Sequence, residues 1–349
     1  MKKPILLSEN NIIKYLKKQV FPALNFKIKR IIFVKEILSF SNANYLFEVK
    51  VTTSQGEKKF VLKQAQPYAK RMLRQGIKKY ISPNRVTGEV KMLKFLSQLW
   101  GKKYVPEILF YDRPNSIFLM SDIGSDFKLL VEEFDHGRVY PQLGKLLGEL
   151  FGRLHGSTYG LKKEFNPNRA WRDYLIDSLI HQSFSSGLKK HLGDKVVNNF
   201  LVSAEKSKFC VTWVDPVFRN IFVSNNSAGF FDFDFSCSYD PAFDSGVLLA
   251  HWLWMTLKGD KKIRRDAKKF IMDYDKYYGP AFLAEKKGTA KDLKKIRERT
   301  RRWAGMYLVS RTDGVSGSYF KDYPAWEKRI RKLGINLFLN KKVAVKLKS

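Results

Sequence analysis

The chain has 349 residues, 44% hydrophobic and 14% aromatic, which excludes an intrinsically disordered chain and leaves length enough for two cores. Two cysteines make no disulfide framework, the longest apolar run (residues 246–255) is too short to cross a bilayer, and the opening MKKPILLSENN lacks a signal-peptide apolar stretch, so a cytoplasmic protein is expected. The formal charge of +32 is uneven, with +16 on residues 1–124, −1 on 125–255 and +17 on 256–349; basic flanks of this kind attract polyanions nonspecifically.

Residues 8–20 have helical spacing, with Ser8 as N-cap and Ile12, Ile13 and Leu16 on one side. Strands are expected at 30–40 and 45–52, joined by the small polar link S-F-S-N-A-N, and at 59–64 after the turn signal S-Q-G-E. Residues 85–99 form an amphipathic helix with Val86, Val90, Leu93 and Leu96 or Leu99 together. Two further strands, 108–111 and 116–120, flank the turn D-R-P-N. Composition changes near Gly124, and helical patterns follow at 141–156, 170–184, 192–206, 244–257, 261–278, 289–311 and 324–334. The expected domains are 1–122, 123–340 and a basic tail at 341–349.

The chemistry is concentrated in residues 209–246, where apolar strand-like runs carry acids. Asp215 ends the run V-T-W-V, Asn220 follows five residues later, and Asp232 and Asp234 lie in G-F-F-D-F-D-F. An acid followed by an amide, then a strand bearing two acids, is a way to hold Mg²⁺ against ATP through hard oxygen ligands. Lys63 at a strand end can reach the α/β-phosphates, and Glu89, on the next helix, can pair with it. Asp215 can orient a substrate hydroxyl or accept its proton. His155 reads as a structural helix residue. His136, His181, His191 and His251 are scattered with no metal-ligand spacing, and the aromatics of 251–278 read as core and groove lining.

At these residues the sequence resembles the aminoglycoside phosphotransferase/choline kinase superfamily, and within it most nearly the methylthioribose kinases. The resemblance rests on V-L-K-Q-A-Q-P-Y at 61–68, S-F-S-N-A-N-Y-L-F-E-V at 39–49, F-D-S-G at 243–246 and A-G-M-Y-L-V-S-R-T-D-G-V at 304–315. It implies an α+β, bilobal protein-kinase-like fold, with a small strand-rich N-lobe and a larger, mostly helical C-lobe. It implies ATP and Mg²⁺, with Asp215 catalytic and Asn220, Asp232 and Asp234 on the metal. Lys63 and Glu89 would serve ATP, Ser41, Asn42 and Asn44 would cover its phosphates, and Met120, Asp122 and Ile123 would form the adenine hinge. Arg311 would meet the acceptor or the transferred phosphate, and Trp213 would shape the acceptor pocket or pack as a core aromatic.

The chain departs from that family in places. Trp213-Val214 replaces the usual His-Gly before the catalytic aspartate, and Asn220 stands where methylthioribose kinases carry serine. Asp234 replaces the glutamate of the metal strand, and Ser310-Arg311 replaces paired arginines. The expected activity is transfer of the γ-phosphate of ATP to a hydroxyl of a small molecule: methylthioribose or another sugar, choline or ethanolamine, or an aminoglycoside. For an amine-bearing acceptor, Glu132, Glu133, Asp135, Asp173 and Asp177 could supply an acidic pocket, or they form a solvated helix face. The alternative from another class is a catalytically weak kinase-like protein that binds nucleic acid or an anionic surface. A homodimer is an allowed assembly.

Overall fold

The computed structural model describes residues 5–37, 44–68, 80–124, 126–161, 163–166, 169–224, 227–313 and 324–341. Ser41 and Asn42, and nearly all of the 341–349 tail, lie outside them. The chain divides into two compact units, 1–125 with 229–234, and 126–228 with 235–349. The boundary at 122/123 expected from composition thus moves to 125/126, and a short segment from the middle of the chain joins the first unit. Among the described residues no helix is long and apolar enough to cross a membrane.

The first unit begins with α1 (Ile12–Tyr15), which runs into a π-helical turn, Leu16–Val20. Its sheet contains β1 (Ile28–Glu36), β2 (Asn44–Thr53), β3 (Gly56–Ala65), β4 (Ile108–Asp112) and β5 (Ile117–Ser121), all antiparallel, in the order β1-β2-β3-β5-β4. On β2, Phe47, Val49 and Val51 recur at the strand period of two and are buried with Leu16 and Val20 of the N-terminal helical segment. On β3 the alternation gives way to four buried residues, Leu62 to Ala65. Leu62 joins that core, so its neighbour Lys63 projects to the opposite face of the sheet. α2 (Arg85–Leu99) buries Val86, Val90, Leu93 and Leu96, the stripe expected from the sequence, and also buries Arg85 and Glu89 one turn apart.

The second unit holds β6 (Lys128–Leu129), α3 (Leu130–Asp135), α4 (Leu143–Thr158), α5 (Arg169–Tyr174) with a π-helical continuation Leu175–Phe184, α6 (Ser186–Leu192) and α7 (Asp194–Glu205). There follow β7 (Cys210–Thr212), β8 (Ile221–Ser224), β9 (Ser227–Phe230), whose end passes into the first unit, β10 (Cys237–Tyr239), α8 (Pro241–Lys258), α9 (Lys261–Ala284), α10 (Ala290–Asp313) and α11 (Pro324–Phe338). α3 and α6 were not anticipated, because each is too short to show a helical period. Asp232 and Asp234, expected within a strand, follow the end of β9, and Asp232 has φ +62°.

α4 packs on α9 through glycines at every fourth position. A Cβ at Gly148 would stand 2.6 Å from the Tyr274 carbonyl oxygen, and one at Gly156 2.5 Å from that of Phe282. The stripe brings the two backbones together and orders the α9 aromatics Phe270, Tyr274, Tyr278 and Phe282 into a stacked ladder. α8 begins at Pro241, where the Asp240 side chain caps Ala242 N–H at 3.1 Å and also accepts from Arg299 Nε (2.8 Å) and Trp303 Nε1 (2.9 Å) of α10.

Candidate active site

In the first unit, the two faces of β3 and the pitch of α2 collect five charged side chains. Lys63 Nζ donates to Glu89 Oε1 at 2.8 Å and to Asp232 Oδ1 at 2.6 Å. Arg85, four residues before Glu89, donates through Nη2 to Asn44 Oδ1 at 2.7 Å, and its Nε lies 3.6 Å from Asp234 Oδ2. Its Nη1 donates to the carbonyls of Gln66, Ile81 and Ser82. Asn44 Nδ2 donates to Asp234 Oδ2 at 2.9 Å, and the Phe233 N–H donates to Glu89 Oε1 at 3.3 Å. Both ends of the Asn44 amide are therefore committed within a buried network. Its side chain joins Arg85 to Asp234.

Two cations face three carboxylates here, an excess of one negative charge. Burial disfavours the charged carboxylates, and it pushes Glu89 and Asp234 upward, Lys63 opposing it at both. Burial alone would lower Lys63, but the charges of Asp232 and Glu89 outweigh it and hold the ammonium charged. Burial pulls Arg85 down, against the pull of Asp234 and Glu89. Glu89, Asp232 and Asp234 offer carboxylate oxygens within 4.8 Å of one another. Asp232 is the open member, its side chain 35% exposed against 1% for Glu89. Hard oxygen donors, surplus negative charge and one accessible carboxylate fit a divalent cation. Of the hinge residues, Met120 is buried and pairs with Val61 of β3, Asp122 is exposed, and Ile123 packs closely over Gly229.

In the second unit, the segment after β7 is pinned from below. Asp244, in the first turn of α8, accepts from Trp213 N–H and Val214 N–H, both at 2.7 Å. His155 Nε2 lies 3.2 Å from the same carboxylate, and its Nδ1 is 2.9 Å from Tyr278 Oη. His155, read from the sequence as structural, thus ties α4 and α9 to α8 in support of this loop. Val214 has φ +73°, a costly conformation for a β-branched residue. Trp213 is fully buried beside Phe151, ring centroids 6.2 Å apart. It packs as a core aromatic.

Asp215 emerges next. Asn220 Nδ2 donates to Asp215 Oδ2 and to its backbone oxygen, both at 3.0 Å, and Arg219 Nη2 stands 3.4 Å from Oδ2. The amide turns its donors onto Asp215 and keeps its oxygen, the hard ligand atom, out of that contact.

Beside this loop is a cavity of about 240 Å³ lined by residues including Phe218, Arg219, His251, Trp254, Tyr307 and Arg311. Arg311 Nη2 donates to Tyr307 Oη at 2.7 Å, and its guanidinium lies 4.6 Å from the centre of that ring. His251 packs at a tilt against Phe218, ring centroids 4.7 Å apart, and lies 3.0 Å from Tyr307 Oη; burial, then the charges of Arg311 and Arg219, push its pKa down to about 3, so the imidazole is neutral. Asp135 of α3 also lines the cavity. The other candidate acids are placed differently. Glu133 accepts from Arg138 Nε at 2.5 Å and from Tyr140 Oη at 2.6 Å, hydrogen bonds that hold its carboxyl near 2. Asp173 pairs with Arg172 at 3.0 Å, and Glu132 and Asp177 are exposed.

Sequence reasoning missed Arg85 and His251. Arg85 was open to discovery, since it sits one turn before Glu89 on the same helix face. His251 was seen but had no partner at a recognisable spacing, because its neighbours come from other elements.

Residues 34–280 match the family described as "Phosphotransferase enzyme family". Over 160 residues the chain is 29% identical to a methylthioribose kinase of Bacillus cereus (strain ATCC 10987 / NRS 248), a match covering 45% of this chain and 37% of that protein. The chain thus spans well under two thirds of the length of that curated relative. Among solved structures it is similar to amicoumacin kinase hAmiN in complex with AMP-PNP, Ca²⁺ and Ami (TM-score 0.55, 17% identity, 96% of this chain and 94% of that one). It is also similar to a thermostable mutant of aminoglycoside phosphotransferase APH(4)-Ia in ternary complex with AMP-PNP and hygromycin B (TM-score 0.50, 11% identity, 93% and 97%). These likenesses show the α+β, protein-kinase-like fold expected from the sequence. The family match covers most of the chain and both units described above, and the chain therefore belongs to the phosphotransferase enzyme family.

Proposed function

We propose that the chain is an ATP- and Mg²⁺-dependent kinase that transfers the γ-phosphate to a hydroxyl of a small acceptor. The observation that carries this reading is the buried Lys63–Glu89–Asp232 arrangement, at 2.8 and 2.6 Å. It would present a charged ammonium to a phosphate oxygen, beside an accessible carboxylate. Asp232 and the Asn220 oxygen would hold Mg²⁺. Asp234 would contribute its charge, with Arg85 and Asn44 fixing its orientation. When bound, the ion would neutralise charge on the transferring phosphate.

Asp215, held by Asn220, accepts a hydrogen bond from the acceptor hydroxyl. As the new oxygen–phosphorus bond forms and the bond to ADP breaks, the hydroxyl proton passes to the Asp215 carboxylate. Most of the rate comes from positioning and charge complementarity. The likeness to a methylthioribose kinase favours a sugar-like acceptor over other small alcohols.

The test is Mg²⁺-dependent ATP consumption against methylthioribose, other pentoses, choline, ethanolamine and aminoglycosides. Wild-type turnover with one of them, abolished by chelation and by Asp215→Asn or Asp232→Asn in folded protein, is expected. Full turnover in either variant would refute the assignment.

A further inference from the structure

The charges gathered around Asp232 bear on how many divalent ions the site takes. Lys63 and Arg85 face Glu89, Asp232 and Asp234. We propose that Arg85 is a positioning residue, the permanent counter-ion of Asp234, and that Asp234 ligates no metal, so that the site takes a single divalent ion with the nucleotide, through Asp232. The proposal rests on the kinase reading, which supplies the ion and the nucleotide.

Arg85 opens α2, and its side chain is 0% exposed. A cation in the first turn of a helix opposes the helix dipole, and a buried guanidinium needs a fixed anion. Asp234 supplies it, with Oδ2 3.6 Å from Arg85 Nε. The guanidinium is held in place from behind, because Nη1 donates to the carbonyls of Gln66, Ile81 and Ser82. Asn44 closes the arrangement, accepting from Arg85 Nη2 at 2.7 Å and donating to the same Asp234 Oδ2 at 2.9 Å. An ion on Asp234 would therefore meet a guanidinium that has four other hydrogen bonds to keep it there. The Asp234 side chain is only 5% exposed, against 35% for Asp232. Glu89, the third carboxylate of the cluster, has both oxygens 2.8 Å from Lys63 Nζ. Of the three acids, Asp232 is the one open to a ligand. Two fixed cations against three carboxylates leave one negative charge, which one divalent ion already overcompensates, so the cluster has no surplus to draw a second.

Mn²⁺ can stand in for Mg²⁺ in the test, since its free form is counted by electron paramagnetic resonance. The full chain is titrated with Mn²⁺ in the presence of AMP-PNP, and nucleotide binding is measured separately by calorimetry. Wild type should bind one Mn²⁺ per chain. Arg85→Gln removes a fixed positive charge and releases Asp234, so it should bind Mn²⁺ about tenfold tighter than wild type. A merely structural role for Arg85 predicts the opposite, an affinity unchanged or weakened. If Arg85→Gln does not fold, the paired variant Arg85→Gln/Asp234→Asn keeps the net charge and replaces the ion pair with two amides. It should retain one Mn²⁺ per chain at an affinity within about threefold of wild type, because no ligand has been lost. Two Mn²⁺ per wild-type chain, no tightening in folded Arg85→Gln, or a loss of about tenfold or more in the paired variant overturns the proposal. Any of these with nucleotide binding intact leaves the kinase reading standing. A wild-type chain that binds no Mn²⁺–AMP-PNP overturns the kinase reading and this proposal with it.

Discussion

Replacing Asp244 with asparagine should damage stability and turnover more than nucleotide binding. The carboxylate accepts two backbone N–H groups at 2.7 Å, one on each oxygen, from Trp213 and Val214. Asparagine supplies one oxygen and one NH₂, so one buried backbone donor must face another donor. An unsatisfied buried donor costs about 1–3 kcal/mol, and the surviving bond loses its charge assistance, for about 2–4 kcal/mol in total. The same bonds hold Val214 at φ +73°, which stores about 1–2 kcal/mol of strain in the residue before Asp215. Once one bond is lost, that strain favours relaxation of the loop and displaces the Asp215 carboxylate. The assay is urea denaturation with Mg²⁺–ADP calorimetry and single-turnover kinetics. A lowered urea midpoint and a fall in kcat of tenfold or more are expected, with a smaller loss of Mg²⁺–ADP affinity, since Lys63, Glu89 and Asp232 are untouched while Asn220 moves with the loop. Val214→Gly probes the strain from the other side: it releases about 1–2 kcal/mol but gives up a buried valine worth about 1.5–3 kcal/mol, so stability should change by only about 1 kcal/mol. Wild-type stability and turnover in Asp244→Asn would refute this account of the loop.

Lys63→Met leaves Glu89 and Asp232 without their shared cation and should cost about 3–5 kcal/mol, seen as a lower thermal midpoint together with lost Mg²⁺–ADP binding. His251 has a folded pKa of about 3, below the ordinary value near 6.5, so the unfolded chain binds the extra proton between those values. Its contribution is complete above about pH 6.5 and is lost as pH falls toward 3, at no more than about 1.4 kcal/mol per pH unit. His251→Gln should flatten the acid limb of the urea-midpoint profile in that window, and an unchanged limb would count against a neutral buried imidazole. Gly148→Ala places a methyl 2.6 Å from the Tyr274 carbonyl oxygen, and the clash should outweigh the gain of up to about 1 kcal/mol in helix propensity; differential scanning calorimetry should show a lower melting temperature.

Local pattern made much of the architecture legible. The stripe of Val86, Val90 and Leu93 marked α2, and the runs at 261–278 and 289–311 correspond to α9 and α10. Lys63 and Glu89, read together from their spacing, are in contact. Other readings stopped where local pattern stops. Asp232 and Asp234 looked like strand residues because the surrounding phenylalanines alternate, yet the chain turns after Phe230 and Asp232 takes a left-handed conformation. Asn44 has the chemistry of a phosphate-loop residue, but Arg85 and Asp234 occupy both ends of its amide. The α4 glycines carry no hydrophobic signal, and their meaning lies in the α9 backbone that they admit.

Taken by itself, the sequence determined the order of most elements through periodicity and spacing, which act over a few neighbouring residues, while the fold class and the candidate acids, amide and lysine came from its resemblance to a known family. Only the tertiary structure decided that Trp213 is core, that Arg85 balances Asp234, that Asp244 restrains the loop before Asp215, and that two arginines and a neutral His251 line the cavity beside it. Those outcomes depend on burial and on partners distant in the chain, and burial determines whether a charge or an amide is left for a ligand or spent within the protein.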